Sequence, residues 1–268
     1  MWLKCYNYAM ETTTQSIGKQ MLNKVPEITL YFWIIKILCT TVGETFADFL
    51  NTNLNLGLTG TSVVMGVLLI VALIYQIRSK KYIPSIYWLS VVLISIVGTL
   101  ITDNLTDNLG ISLETTTTIF SIALVATFFA WYRKEKTLSI HSITTKSREL
   151  FYWLTILFTF ALGTASGDLL AEKLDVGYFW SLIIFAGSIA VVYLAHKKFK
   201  LKAVWAFWIA YILTRPLGAS IGDYLSQARS DGGLGLGTVI TSFVFLFAIL
   251  ITVIYLTKTK KDVAVASL

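Results

Sequence analysis

Four tryptophans, Trp33, Trp88, Trp153 and Trp208, set the frame in which this chain is read. Each is followed ten residues later by a glycine (Gly43, Gly98, Gly163, Gly218) and fifteen residues later by an aspartate (Asp48, Asp103, Asp168, Asp223). With only 17 glycines in 268 residues, four copies of W-x9-G-x4-D in register do not arise by chance. The tryptophans are spaced 55, 65 and 55 residues apart, so the two halves repeat with a period of 120. A duplication of a duplication accounts for this, and it divides the chain into four units before any helix is assigned.

Each unit holds two long apolar runs. The chain is 56% hydrophobic and only 14% charged, where a soluble protein carries about a quarter charged residues. Runs of about twenty apolar residues match the length a helix needs to cross a bilayer. We read spans at 28–50, 57–77, 86–106, 113–132, 150–171, 177–195, 204–225 and 236–257. The expected fold is therefore all-α, a polytopic membrane protein of about eight helices. Repeats one and two occupy 28–132, and repeats three and four occupy 150–257. A basic linker (133–149) joins them, between an N-terminal tail (1–27) and a C-terminal tail (258–268). The tail shows no apolar signal-peptide core, so the first span is expected to act as its own insertion signal. Cys5 and Cys39 show no pairing pattern.

Of the 22 Lys and Arg, 18 fall in the two tails and in the connections after the second, fourth and sixth spans. The other connections carry Asp107, Glu114, Glu172, Asp175 and Asp231, with only Lys173 and Arg229. Under the positive-inside rule both termini are cytoplasmic. The net charge of +7 is thus a topology signal, and no nucleic-acid partner is expected. Because each unit has an even number of spans, all four enter in the same direction. They are parallel repeats about an axis along the membrane normal.

The motif residues have distinct physical readings. Tryptophan suits the cytoplasmic interface, as a belt or packing residue. Glycine permits close helix crossing, and Gly163/Gly167 and Gly218/Gly222 extend this into small-residue faces. The aspartate lies ~22 Å beyond the tryptophan, where a carboxylate normally faces a bundle interior or a water-filled cavity. A structural alternative is capture by hydroxyls opening the next span: Thr59, Thr61, Ser62; Thr115 to Thr118; Thr238, Thr241, Ser242.

Departures from symmetry point to chemistry. In unit one, Lys36, Thr40, Glu44 and Asp48 are four apart and form one polar stripe, widened by Thr41 and Thr45. Glu44 and Asp48 form a candidate paired-carboxylate and metal site. The other units carry Thr99, Thr164 and Ala219 where unit one has Glu44. Unit four adds Arg215-Pro216 near mid-span, and Glu44 is the expected partner of Arg215 if units one and four close a ring. Lys36 is expected to pair with another carboxylate or to snorkel.

The segment Phe32-Trp33-Ile34-Ile35-Lys36-Ile37-Leu38, with Gly43-Glu44-Thr45 and Asp48, resembles the first unit of a family of bacterial membrane proteins defined by a tandem repeat of unknown function, four copies of two spans with a tryptophan. The resemblance covers residues 25–257. It implies this fold and a bacterial inner-membrane location, and it brings no activity with it.

Glu44, Asp48, Asp103, Asp168 and Asp223 against Lys36 and Arg215 leave an acidic, oxygen-rich interior suited to Mg²⁺, Mn²⁺, Ca²⁺, Na⁺ or a proton. His141 and His196 are the only histidines and fall in connections, which disfavours zinc, copper and haem. No catalytic motif is present, so we expect neither an enzyme nor a cofactor. The leading expectation is a transporter or exchanger of a hard cation through an outward-facing acidic cavity. The alternatives are a transporter of a small organic or anionic solute using Lys36 and Arg215, and a non-transporting membrane scaffold or sensor.

Overall fold

A computed structural model describes residues 23–53 and 56–263. Most of the N-terminal tail, with Lys4, Cys5 and Lys19, lies outside the described residues. Among the described residues there are eight long helices: α1 (Leu30–Asp48), α2 (Gly57–Arg78), α3 (Pro84–Asp103), α4 (Leu113–Glu135), α5 (Lys146–Asp168), α6 (Tyr178–Lys198), α7 (Ala203–Ser226) and α8 (Thr238–Thr259). All eight are long and apolar enough to cross a membrane, and each matches an expected span to within a few residues. The linker is shorter than expected: α4 runs to Glu135 and α5 starts at Lys146, with a turn of 3-10 helix at Ile140–Ser142 between them. His196 lies in the last turn of α6, not in a connection.

Local sequence explains the helix ends. The side chains of Thr29, Ser112 and Thr145 accept hydrogen bonds from the backbone N–H groups of Phe32, Thr115 and Arg148, satisfying donors that have no partner inside the helix. Pro84 occupies the first turn of α3, where its missing N–H costs nothing.

The odd helices form the inside of the protein. They bury 56–72% of their apolar stretches, while the even helices bury only 6–22% and turn residues such as Val63, Ile122, Val191 and Phe247 outward. Helices α1, α3, α5 and α7 pack in cyclic order, α7 closing back on α1. Each even helix leans on the odd helix of the following unit: α2 on α3, α4 on α5, α6 on α7, and α8 on α1. This is the closed ring that parallel repeats allow.

The motif glycine sets the spacing of that ring. A Cβ on Gly43 would lie 2.7 Å from Ser95 Cβ, one on Gly98 2.6 Å from Phe160 Cβ, one on Gly163 2.5 Å from Arg215 Cβ, and one on Gly218 2.5 Å from Thr40 Cβ. Carbon atoms in contact normally stand about 3.5–4.0 Å apart, so no side chain fits at any of the four. The same step is made four times: the glycine of one unit receives the residue seven after the tryptophan of the next. The small-residue faces continue it, with Gly167 against Pro216 and Gly222 against Thr45.

Residues four apart along the odd helices then stack as layers down the axis. Phe32, Tyr87, Tyr152 and Phe207 come first, followed by Lys36, Val91, Ile156 and Tyr211. Thr40, Ser95, Phe160 and Arg215 form the third layer, and Glu44, Thr99, Thr164 and Ala219 the fourth. All sixteen are buried. The tryptophans fill this interior too. Trp88, Trp153 and Trp208 are buried, and only Trp33 is half-buried. The interfacial-belt expectation is therefore corrected for three of the four: each ring packs edge-on against the aromatic residue before it in the chain. Beyond the first layer, Lys24 pairs with Glu149 at 2.7 Å and donates to the Ile77 carbonyl, both charged groups being fully buried. Tyr82 donates to Asp262 at 2.5 Å, and burial holds both groups above their ordinary pKa values. Both pairs sit at the tryptophan end of the bundle.

Replacing Gly98 by valine is expected to lower the thermal unfolding midpoint in detergent, at a cost of about 1–3 kcal/mol for an overpacked contact. Gly66→Val, where an added Cβ meets nothing within 4 Å, should leave the midpoint unchanged. Equal behaviour of the two variants would contradict the ring packing.

Candidate functional site

The opposite end of the axis is open. In units one to three the motif aspartate is the last α-helical residue, and a single π-helical turn follows it: Phe49–Asn53, Asn104–Asn108 and Leu169–Lys173. Such turns are frequent at functional sites, because the wider turn re-aims side chains. In unit four the α-helix runs past Asp223 to Ser226 without this change.

The four aspartates converge on one cavity of about 180 Å³. It is lined by Glu44, Asp48, Asp103, Asp168 and Asp223, the carboxylates expected from the sequence, and also by Asp107, Glu172, Asn51, Thr106 and Gln227. Exposure falls with depth. Asp107 and Glu172 at the mouth are exposed, Asp48, Asp103 and Asp168 are half-buried, and Glu44 and Asp223 at the floor are each 7% exposed. The carboxylates are therefore not splayed apart.

Four of the expected hydroxyl caps bond to other groups. Ser62 donates to the Leu58 carbonyl and accepts from Asn104, Thr118 donates to the Glu114 carbonyl, Thr241 to the Gly237 carbonyl and Ser242 to Thr45. Among the described residues, none of these hydroxyls bonds to Asp103, Asp168 or Asp223. The closest convergence also differs from the expected pair within one helix. One oxygen each from Glu44, Asp168 and Asp223 lies within 4.8 Å of the others, so three helices contribute. Asp48 lines the same cavity outside this group.

Arg215 lies behind the floor, against Glu44. Its Nη2 donates to Glu44 Oε2 at 2.9 Å, to Thr164 Oγ1 at 2.6 Å and to Thr99 Oγ1, while Nη1 donates to the Thr40 carbonyl at 3.4 Å. The ion pair expected between units one and four is present, and Arg215 is fully buried. Glu44, Thr99 and Thr164 hold the same repeat position, so one guanidinium joins three units at one depth. Thr40, Thr41 and Thr45 do not line the cavity. Their hydroxyls donate to helix carbonyls, those of Ile37 and Thr41, and Thr40 also reaches the Thr214 carbonyl.

Lys36 departs from expectation. It neither pairs with a carboxylate nor snorkels. It is 1% exposed, and its Nζ lies 4.2 Å from the Phe160 ring centroid and 4.3 Å from that of Tyr211, with no hydrogen-bond partner. The aromatic faces supply the negative potential that a carboxylate would otherwise provide.

Sequence reasoning placed Asp107 and Glu172 in connections and missed their part in the site. The signal was the stripe itself. One further step of four residues from Asp103, Asp168 and Asp223 lands on Asp107, Glu172 and Gln227.

Arg215→Met alone leaves Glu44 buried without its cation, and breaking such a pair costs about 3–5 kcal/mol. The double variant Arg215→Met with Glu44→Gln is expected to recover much of that loss in thermal unfolding. A double variant no more stable than the single one would show that the pair is not the organising contact.

No curated protein and no solved structure matches the chain. The family model described as Repeat of Unknown Function (DUF347) matches four times, at residues 31–82, 86–137, 151–201 and 206–262, one match to each two-helix unit. The chain belongs to that family of tandem repeats.

Proposed function

We propose that this protein transports a hard divalent cation of the Mg²⁺ or Mn²⁺ kind, taking it up in the acidic cavity at the aspartate end of the ring. One observation carries the reading: seven carboxylates, Glu44, Asp48, Asp103, Asp107, Asp168, Glu172 and Asp223, face a single cavity of about 180 Å³. Small hard cations select carboxylate, amide and hydroxyl oxygens. Here Asn51, Thr106 and Gln227 supply the neutral oxygens. The graded exposure gives an ion a stepwise route from solvated acids at the mouth to the Glu44–Asp168–Asp223 group at the floor.

The placement of charge supports an orientation. The connections at the tryptophan end carry the basic residues, so the acidic mouth faces outward across the bacterial inner membrane with both termini cytoplasmic. The buried aromatic layer and Lys24–Glu149 pair at the tryptophan end fit a transporter resting with its outer side open. Pro216 beside Arg215 leaves one carbonyl in the preceding turn of α7 without its usual donor, a point at which a helix bends. A small anionic solute is less well served. Arg215 Nη2 is already engaged by Glu44, Thr99 and Thr164, and carboxylates surround the approach to it.

Purified protein in liposomes is expected to carry Mn²⁺, followed by quenching of a trapped fluorophore. Asp223→Asn and Glu44→Gln should each reduce the rate at least tenfold. Asp223 makes no ion pair among the described residues, so its variant is the safer for folding. Mn²⁺ should also raise the unfolding midpoint of the wild-type protein and raise it less in Asp223→Asn. Unchanged flux in both variants would remove the proposal.

A further inference from the structure

At the tryptophan end, the outer surface of the bundle carries a trough between α4 and α7 with a volume of about 590 Å³. On α4 its wall is Val125, Phe128, Phe129 and Tyr132, three and four residues apart and so on one helix face. On α7 it is Val204 and Trp205. Lys136, Thr137 and Lys202 line the remaining end. From Val125 to Lys136 the trough runs about 16 Å at 1.5 Å per residue, roughly half of a ~30 Å hydrocarbon core. It is one leaflet deep, apolar inside and cationic at its edge.

The cations there have no anion. Lys136 and Lys202 are exposed, and neither makes an ion pair among the described residues. Arg133 adds a third positive group, its guanidinium carbon 5.6 Å from the centre of the Phe129 ring. No carboxylate among the described residues lines the trough, and the neighbouring Glu135 is held by Arg148 at 2.8 Å. Lys202 is also the N-cap of α7, where no side chain accepts from the first-turn N–H groups. A helix N-terminus attracts anions, and a lysine left there without one is unfavourable. The positions of Lys202 and Trp205 hold Glu27 and Leu30, Tyr82 and Ser85, and Ser147 and Leu150 in the other units, so the combination belongs to unit four alone. A second surface groove of about 510 Å³, between α6 and α7, is lined by no lysine or arginine.

We infer that this trough holds one anionic phospholipid of the cytoplasmic leaflet, its phosphate between Lys136, Lys202 and the start of α7, and an acyl chain along Val125, Phe129 and Trp205. The depth matches one leaflet, and the cations lie at the end where the basic connections gather. Tyr132 and Trp205 are the residue types that settle at headgroup level. Basic pockets between spans on the cytoplasmic side hold anionic headgroups in this way. A second copy presenting the same face would set like charges together, and the N-terminal tail, with Lys4 and Lys19 against Glu11, brings no matching anion. Behind the trough, Trp208 Nε1 donates to the Leu138 carbonyl at 2.9 Å and the Trp208 ring meets Phe128 edge-on. The lipid therefore covers the joint between α4, the linker and unit four. The inference does not depend on the cation reading.

The experiment uses full-length protein in a neutral detergent with equal amounts of phosphatidylglycerol or phosphatidylcholine, read by native mass spectrometry and by thermal unfolding. The wild type should retain one phosphatidylglycerol, bind it about tenfold tighter than phosphatidylcholine, and unfold at a higher temperature with it. Inorganic phosphate should give no such rise, which separates a lipid from a free anion. Lys136→Gln with Lys202→Gln should remove the preference and leave the lipid-free midpoint unchanged, since both side chains are exposed. Trp205→Ala should weaken the binding of both lipids. Lys198→Gln with Lys200→Gln removes the same charge from the same end outside the trough and should keep the preference. An undiminished preference without Lys136 and Lys202, an equal loss in the control pair, or a rise with phosphate alone would overturn the site. A dimer mass in place of the lipid adduct would overturn it in favour of a second copy.

Discussion

The structure turns on a single guanidinium. Arg215 lies on the axis of four helices, fully buried, and bonds at once to Glu44, Thr99 and Thr164. A charge in such a place is tolerated only when its desolvation is offset by close, well-directed partners. Here the partners come from three units at the same repeat position. The fourth unit supplies Arg215 itself and has the small Ala219 at that level. Gly163 makes room for the arginine stem, since an added Cβ there would meet the Arg215 side chain. One residue thus ties the ring together and backs the acidic cavity through Glu44.

Quasi-symmetry and its violations divide the work. What repeats is mechanical: the glycine that admits the next helix, the aromatic layer and tryptophan that fill one end, and the aspartate that opens the other. What does not repeat is electrostatic. Lys36, Glu44 and Arg215 each occur in one unit only, at positions where the other units carry apolar or hydroxyl residues. All three nevertheless meet the axis, because the four-residue step that places the repeated layers places them as well. The sequence of layers from one end to the other is aromatic, then one cation between rings, then the arginine, then the acid that binds it, then a set of carboxylates open to water.

Much of this was legible in the chain, and the reasons are physical. The eight helices follow from apolar length, and the ring follows from an even number of spans per repeat. The Arg215–Glu44 pair follows from the cost of leaving either charge alone in the interior. Three things were not legible. Apolar aromatic residues near a helix end read equally well as belt or core, and only the packing of Trp88, Trp153 and Trp208 separates the two. Lys36 was assigned a carboxylate or the surface because ring faces on other helices leave no mark in its own segment. The deepest carboxylate group crosses three helices, so spacing along α1 favoured Asp48, while distance in space favours Asp168 and Asp223 beside Glu44.

A cavity rich in carboxylates above a fixed arginine has a clear chemical preference, and locating a bound ion tests it directly. Crystals or frozen grids of the protein prepared with millimolar Mn²⁺ give an independent view, by anomalous scattering in the first case. The account expects a single strong metal peak at the floor of the cavity, within coordination distance of Glu44, Asp168 and Asp223. A cavity without metal at that concentration, or ions held only by the exposed acids Asp107 and Glu172, would contradict it.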